Sequence, residues 1–284
     1  MVMLPATAAA RHTLKIDLDG DPLVADVYTA TTPNDAPPVL LVHGWGGSGR
    51  YWYKTVAQLR DQFTLIVPDM PGVGRAMPVH TPRDMFAQVG VLEMLLVRLN
   101  VERVHVVGHS MGAGLTMLLA AQRPDLVERL VLTSIALFTN DAQRAFFERV
   151  IDSADVMMRM RGAWMADVPG LVRQAAKPFF TRIPDEPDLL RAAFRDYLAM
   201  DRATAIASAR SAVSPKIQAA AAQIQAPTLL VVCRDDRYMP QENVAATVRM
   251  IPHCETHWIE DCGHLPMVER PDEYAALLRA FLTS

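Results

Sequence analysis

Along this chain, short and almost wholly apolar runs alternate with stretches whose apolar residues recur at helical spacing. The runs are Val39–Val42, Phe63–Val67, Val104–Val107, Leu130–Thr133 and Thr228–Val232. Strands of that composition are covered on both faces, which is the habit of parallel sheets. Helical patterns fall between them, near Tyr51–Arg60, from Pro82 to Leu99, over Met111–Gln122, after Pro240 and from Pro271 to Leu282. Two alternating segments, 12–18 and 22–29, come first and meet at Asp19-Gly20-Asp21, which predicts a hairpin. A last strand is expected at about Glu255–Ile259. The pattern predicts an α/β protein: a mostly parallel eight-stranded sheet with helices on both faces.

The rhythm fails once. From Phe138 to Val213 no strand pattern occurs, only helical segments broken at Gly162, Pro169, Pro178 and Pro184. We therefore expect a core of residues 1–137 and 214–284 and an inserted helical cap of 138–213, lying over one end of the sheet.

Composition narrows the function classes. A formal charge of −3 and the absence of a basic stripe argue against nucleic-acid binding. No apolar run reaches the ~18–20 residues of a membrane span. The opening MVMLPATAAARHTL lacks the charged and apolar regions of a signal peptide. Three cysteines, Cys233, Cys254 and Cys262, form no disulfide framework, so a reducing, cytoplasmic setting is expected. Neither composition nor pattern sets the oligomeric state.

The candidate chemistry sits at strand ends. Gly108-His109-Ser110-Met111-Gly112 fits G-x-S-x-G, a weak pattern alone, but here a strand runs into it and a helix out of it. So sharp a turn strains the serine backbone and leaves no room for side chains at 108 and 112. A serine hydroxyl needs a base. His253, His257 and His264 are the available histidines of the C-terminal third, and no histidine falls between His109 and His253. His264 is preferred because it follows a strand directly and so stands at the sheet's carboxyl edge with Ser110. The base needs an orienting acid. Asp236, past the strand Thr228–Val232, is preferred, with Asp235 as its rival. Acyl transfer also needs oxyanion donors, and the backbone N–H groups of Met111 and Trp45 are placed for it. His105, in mid-strand, reads as a core residue. A metal cluster of His253, Cys254, His257, Cys262 and His264 is disfavoured, because in a strand residues 253 and 257 lie ~13 Å apart. No cofactor is called for.

The motifs HGWGGSG (43–49), DMPGVGRA (69–76), GHSMGAG (108–114), DDRYMP (235–240) and GHLPMVERP (263–271) carry a resemblance over essentially the whole chain. The sequence resembles the α/β-hydrolase superfamily, in its branch of single-chain, esterase-like serine hydrolases with a helical cap. The resemblance implies a Ser110–His264–Asp236 triad, with the acid four residues before Pro240. It also implies an oxyanion N–H from Trp45 and a structural His43 that braces its loop. Cys233 stands where glycine is usual and Ala76 where serine is more usual. The implied function is cleavage of carboxylic esters by water through an acyl-Ser110 intermediate.

Other chemistries share such a triad. A carbon–carbon bond hydrolase would be expected to carry asparagine at 109 and a cap arginine. A hydroxynitrile lyase would want a cap lysine, and only Lys177 is available. A perhydrolase and a ligand receptor retaining the triad also stay open. Ser110 excludes relatives with an aspartate nucleophile. The cap is rich in Met and aromatic residues and should form an apolar pocket. Phe138, Trp164 and Leu265 are its candidate lining, for a small to medium apolar ester.

Overall fold

The computed structural model describes residues 11–284. Its strands are β1 (Arg11–Leu18), β2 (Asp21–Tyr28), β3 (Val39–Val42), β4 (Leu65–Asp69), β5 (Val104–His109), β6 (Val127–Thr133), β7 (Thr228–Cys233) and β8 (Cys254–Ile259). They form one sheet in the order β1-β2-β4-β3-β5-β6-β7-β8, in which β2 alone is reversed. This is the expected α/β architecture. The residues 1–10, on which the reading of a leader peptide largely rests, lie outside the described residues.

The apolar runs become strands because both of their faces are covered. Leu40, Val42, Val106, Leu130, Leu132 and Leu230 enter one core, and their sequence neighbours Val39, Leu41, Val107, Val131 and Leu229 enter the other. Helices α2 (Met85–Arg98), α3 (Met111–Gln122), α8 (Pro215–Ala221) and α9 (Val244–Met250) pack on the first side. Helices α1 (Tyr53–Leu59), α10 (Pro266–Glu269) and α11 (Pro271–Leu282) pack on the second. Each fully buried Leu or Val contributes ~1.5–3 kcal/mol of transfer free energy, and the period of two divides that gain between the cores.

The hairpin turns at Asp19 (φ 57°) and Gly20 (φ 95°), the paired left-handed residues that a two-residue connection requires. Several boundaries differ from the pattern, three of them with a visible local cause. The strand expected at Phe63–Val67 is shifted to 65–69, because Pro68 and Asp69 pair with Ala25 and Val24 of β2. The helix expected from Pro82 starts at Met85, where the Asp84 carboxylate accepts the Ala87 N–H at 2.8 Å and caps it. The helix expected from Tyr51 opens as a 3₁₀ turn, Gly49–Trp52, before α1.

Between β6 and β7 the chain adds no strand. It forms α4 (Asp141–Met160), α5 (Leu171–Ala176), α6 (Pro187–Ala199) and α7 (Arg202–Ala212) before α8. Ion pairs and hydrogen bonds fasten these helices to the segment after β3: Arg50 to Asp196 (3.1 Å), Ser48 Oγ to Asp196 (2.6 Å) and Lys54 to Glu186 (2.6 Å). On the other side Gln88 Nε2 donates to Ser208 Oγ at 2.5 Å. No helix among the described residues is long and apolar enough to cross a membrane.

Two glycines separate packing from propensity. A Cβ at Gly112 would collide with the backbone carbonyls of Val42 and His43, which the sheet holds in place, whereas a Cβ at Gly90 on α2 meets nothing within 4 Å. Gly112→Ala is expected to lower unfolding free energy by ~1–3 kcal/mol or more. Gly90→Ala should raise it by ~0.5–1 kcal/mol. Urea unfolding followed by circular dichroism checks both signs.

Candidate active site

Ser110 occupies the junction between β5 and α3, at φ 54° and ψ −121°. That backbone conformation is sparsely populated for a residue with a side chain and costs ~1–3 kcal/mol. Its neighbours enforce it. Ser110 N–H donates to the Thr133 carbonyl at 2.8 Å, and the Ser110 carbonyl accepts the Ala113 N–H at 2.9 Å. A side chain at Gly108 would run into Thr116 and the Gly112 carbonyl, so the turn can close only on glycine. Met111 begins α3, so its N–H belongs to the helix terminus that has no intrahelical acceptor.

The turn after β3 closes against this elbow. A Cβ at Gly44 would lie 3.0 Å from both the Ser110 Cβ and the His109 Nδ1. Trp45 follows, half-buried, with its indole N–H donated to the Ala205 carbonyl of α7 at 2.9 Å and its ring edge-on to Tyr197. His43 is locked by two hydrogen bonds. Its Nδ1–H donates to the Gly44 carbonyl at 2.9 Å, and Nε2 accepts the Met70 N–H at 3.0 Å. The second bond requires the neutral ring, since a protonated Nε2 could not accept, and burial pushes the ring's pKa down. The DMPGVGRA turn is braced in parallel by Asp69, which accepts the Gly49 N–H at 2.8 Å and pairs with Arg75 at 2.7 Å. Ala76, where serine is more usual, is fully buried.

β7 and β8 are parallel neighbours in register, Cys233 opposite Ile259, so the segments that leave them emerge at one edge. There Asp236 Oδ2 meets His264 Nδ1 at 2.8 Å, with both side chains buried. The other carboxylate oxygen, Oδ1, accepts the N–H groups of Tyr238 (2.8 Å) and Met239 (3.2 Å). Burial alone would raise this carboxyl's pKa. The bond to His264 and the two N–H donors outweigh burial and hold it below the usual value. Asp235 is exposed and accepts the Thr181 hydroxyl at 3.0 Å instead. A carboxylate on Nδ1 fixes the proton there and leaves Nε2 bare, the tautomer a general base needs.

His264 is also held by its backbone: its N–H donates to the Phe179 carbonyl at 2.8 Å. Its carbonyl accepts from Ser134 Oγ (3.0 Å) and from His109 Nε2 (2.8 Å). The rings of Phe179 and Tyr238 stack on each other and flank the imidazole. His109, which precedes Ser110, has its ring centroid 4.8 Å from that of His264. The elbow and the histidine segment therefore share one edge.

The remaining candidates are scattered. Phe138 packs on Phe147 (5.2 Å between centroids) and Leu265 caps α10 half-buried. Trp164 is 66% exposed on the 3₁₀ turn 163–167, its ring over Gly162, so it is not enclosed with the others. His105 is buried near the start of β5, edge-on to Phe63, and burial pushes its pKa down to about 4. His253 lies in the turn before β8 and His257 within that strand. Among the described residues no group of three or more His, Cys, Asp or Glu side chains is placed to hold a metal ion. Tyr51 and Ser134 at this edge carry no role in the motif reading, since each arrives through contacts remote in sequence.

Comparison with known proteins agrees with this architecture. The profile of the family described as alpha/beta hydrolase fold matches residues 37–271. A putative carbamate hydrolase, RutD, of Pseudomonas syringae is 28% identical over 264 residues, 88% of this chain and 95% of that protein. Lipase 1 of Psychrobacter immobilis is 28% identical over 267 residues, 90% of this chain and 80% of its own. Among solved structures, an alpha/beta hydrolase enzyme from a Medee basin deep-sea metagenome library superimposes with a TM-score of 0.80 at 18% identity. That match covers 95% of this chain and 98% of the other. An esterase from Thermogutta terrifontis matches with a TM-score of 0.75 at 23% identity, covering 97% and 98%.

The depressed Asp236 carboxyl makes stability depend on pH in a defined direction. Its contribution is complete above the ordinary value of 3.8 and is lost as pH falls through the lower folded-state value. The urea midpoint of the wild type should therefore drop more steeply than that of Asp236→Asn between about pH 4 and pH 2. Parallel curves would show that the folded protein leaves this carboxyl unperturbed.

Proposed function

The chain belongs to the alpha/beta hydrolase fold family, and on that premise we propose that it is a serine hydrolase of carboxylic esters. The observation that carries this reading is the buried Asp236–His264 pair at the edge where Ser110 turns out of the sheet. Ser110 is the nucleophile, His264 the base and Asp236 the group that orients it. The oxyanion is held by the N–H groups of Met111 and Trp45. Residues 138–213 act as the cap that covers this edge.

In acylation, Ser110 Oγ attacks the ester carbonyl while its proton passes to His264 Nε2. The tetrahedral oxyanion points at the two N–H donors, each worth ~2.7–4 kcal/mol in the transition state. His264 then returns the proton to the leaving alcohol, and the acyl group stays on Ser110. In deacylation, water takes the alcohol's place: His264 accepts its proton, hydroxide adds to the acyl carbon, and the proton returns to Ser110 as the acid departs. Asp236 stays ionised throughout and stabilises the imidazolium.

The surroundings favour an uncharged substrate. Phe179 and Tyr238 present aromatic faces beside His264. Arg161, a cap arginine packed over the Tyr197 ring, donates to the backbone carbonyls of Tyr197 and Met200. A carbon–carbon bond hydrolase would use such an arginine on its substrate. Lys177, the lysine a hydroxynitrile lyase would need, is exposed. A carbamate is the second acyl class this reading accommodates, through a carbamoyl-Ser110, because the relative named a putative carbamate hydrolase matches nearly end to end.

Ser110→Ala should lower kcat for p-nitrophenyl acetate and butyrate by a factor on the order of 10⁴–10⁶ with an unchanged circular dichroism spectrum. Asp236→Asn should cost on the order of 10⁴, and Asp235→Asn should stay close to wild type. Near-wild-type turnover in Ser110→Ala would remove the nucleophile, and the reverse ranking of the two aspartates would move the acid role to Asp235.

A further inference from the structure

A chain of hydrogen bonds joins the three segments that carry the proposed chemistry. The Tyr51 hydroxyl oxygen accepts the Gly44 N–H and lies 3.0 Å from His109 Nδ1. His109 Nε2 lies 2.8 Å from the His264 carbonyl oxygen. All of these groups are buried.

The direction of every bond follows from its ends. A carbonyl can only accept, so His109 Nε2 carries a hydrogen. Burial, aided by the neighbouring His264, pushes the His109 pKa down to about 3, so the ring is neutral and Nδ1 is a bare acceptor. Nδ1 therefore accepts a hydrogen bond from the Tyr51 hydroxyl, and the Tyr51 oxygen is free to accept from Gly44. Burial raises the Tyr51 phenol well above its usual range, so the proton stays on it. One arrangement satisfies every donor and acceptor. Gly44 immediately precedes Trp45, His109 immediately precedes Ser110, and the third end is the backbone of His264 itself.

We propose that Tyr51 and His109 are positioning residues, which set the distances between the Trp45 N–H, Ser110 Oγ and the His264 imidazole from behind the site. This rests on the reading of Ser110 as nucleophile. The Tyr51 ring supports that role. A Cβ at Gly47 would strike its edge, and it meets His43 and His109 edge-on and Trp52 at a tilt. Its hydroxyl is thus aimed by packing on several sides. Removing the hydroxyl leaves a buried N–H and a buried ring nitrogen without partners, and the strain falls on the Gly44–Trp45 turn and the elbow.

The test uses Tyr51→Phe, His109→Leu and His109→Gln, with active sites counted by mass spectrometry after labelling with a fluorophosphonate. Turnover of p-nitrophenyl butyrate is then expressed per labelled site, so loss of folded protein does not count. A misplaced oxyanion donor acts in the transition state, so Tyr51→Phe and His109→Leu should lose between about 10- and 100-fold in kcat with little change in KM. Gln can accept from Tyr51 through Oε1 and donate to the His264 carbonyl through Nε2. His109→Gln should therefore recover at least about tenfold over His109→Leu. Wild-type kcat per site in Tyr51→Phe, or His109→Gln no better than His109→Leu, would overturn the inference. A wild-type protein that hydrolyses the ester but takes no label at Ser110 would instead overturn the nucleophile assignment.

Discussion

The arrangement turns on one buried hydrogen bond, from His264 Nδ1 to the Asp236 carboxylate. A neutral imidazole has one proton and two places to keep it. A carboxylate at 2.8 Å decides the matter for Nδ1 and points the bare nitrogen away from the acid. The bond exists because β7 and β8 are adjacent and parallel, so segments 28 residues apart leave the sheet side by side. Burial makes the carboxylate costly. Two backbone N–H groups and the imidazole offset that cost, and they leave Asp236 little freedom to turn elsewhere.

The same logic extends outward from the pair. Each segment at this edge is fixed by a polar group whose partner lies on another segment. His43 ties the turn after β3 to Met70, Asp69 ties the turn after β4 to Gly49 and Arg75, and Ser134 ties the end of β6 to the His264 carbonyl. Since an unpaired buried donor or acceptor costs ~1–3 kcal/mol, these pairings favour one geometry over its near alternatives. The strained backbone of Ser110 is affordable only inside such a frame. The helices between β6 and β7 reach the same frame, because the Trp45 indole is bonded to Ala205 and Ser48 to Asp196. Movement of those helices would therefore pull on the turn that carries Trp45.

Much of this was legible in the sequence, for local reasons. Runs such as Val39–Val42 admit few readings other than a doubly covered strand, and a glycine two residues either side of Ser110 signals a turn without room for side chains. Neighbouring Asp235 and Asp236 are alike as sequence letters, and only the fold separates them, Asp236 buried on His264 and Asp235 exposed on Thr181. Boundaries slipped where a residue with a loop-forming reputation was recruited by a partner, as Pro68 and Asp69 were by β2. His109, the residue before Ser110, reads as a motif letter, and its tie to Tyr51, 58 residues away, depends on packing that no local pattern encodes. Trp164 looked like pocket lining from its aromatic character alone, yet a short 3₁₀ turn faces it outward. The residues 1–10 lie outside the comparison.

The central claim is a tautomer: His264 protonated on Nδ1 against Asp236, with Nε2 bare. Nitrogen-15 NMR of the histidine-labelled protein at neutral pH, assigned with a His264→Gln variant, reports it directly. A proton on Nδ1 in a strong hydrogen bond that weakens in Asp236→Asn, beside an unprotonated Nε2, is the predicted result. A neutral His264 that carries its proton on Nε2 would contradict the account.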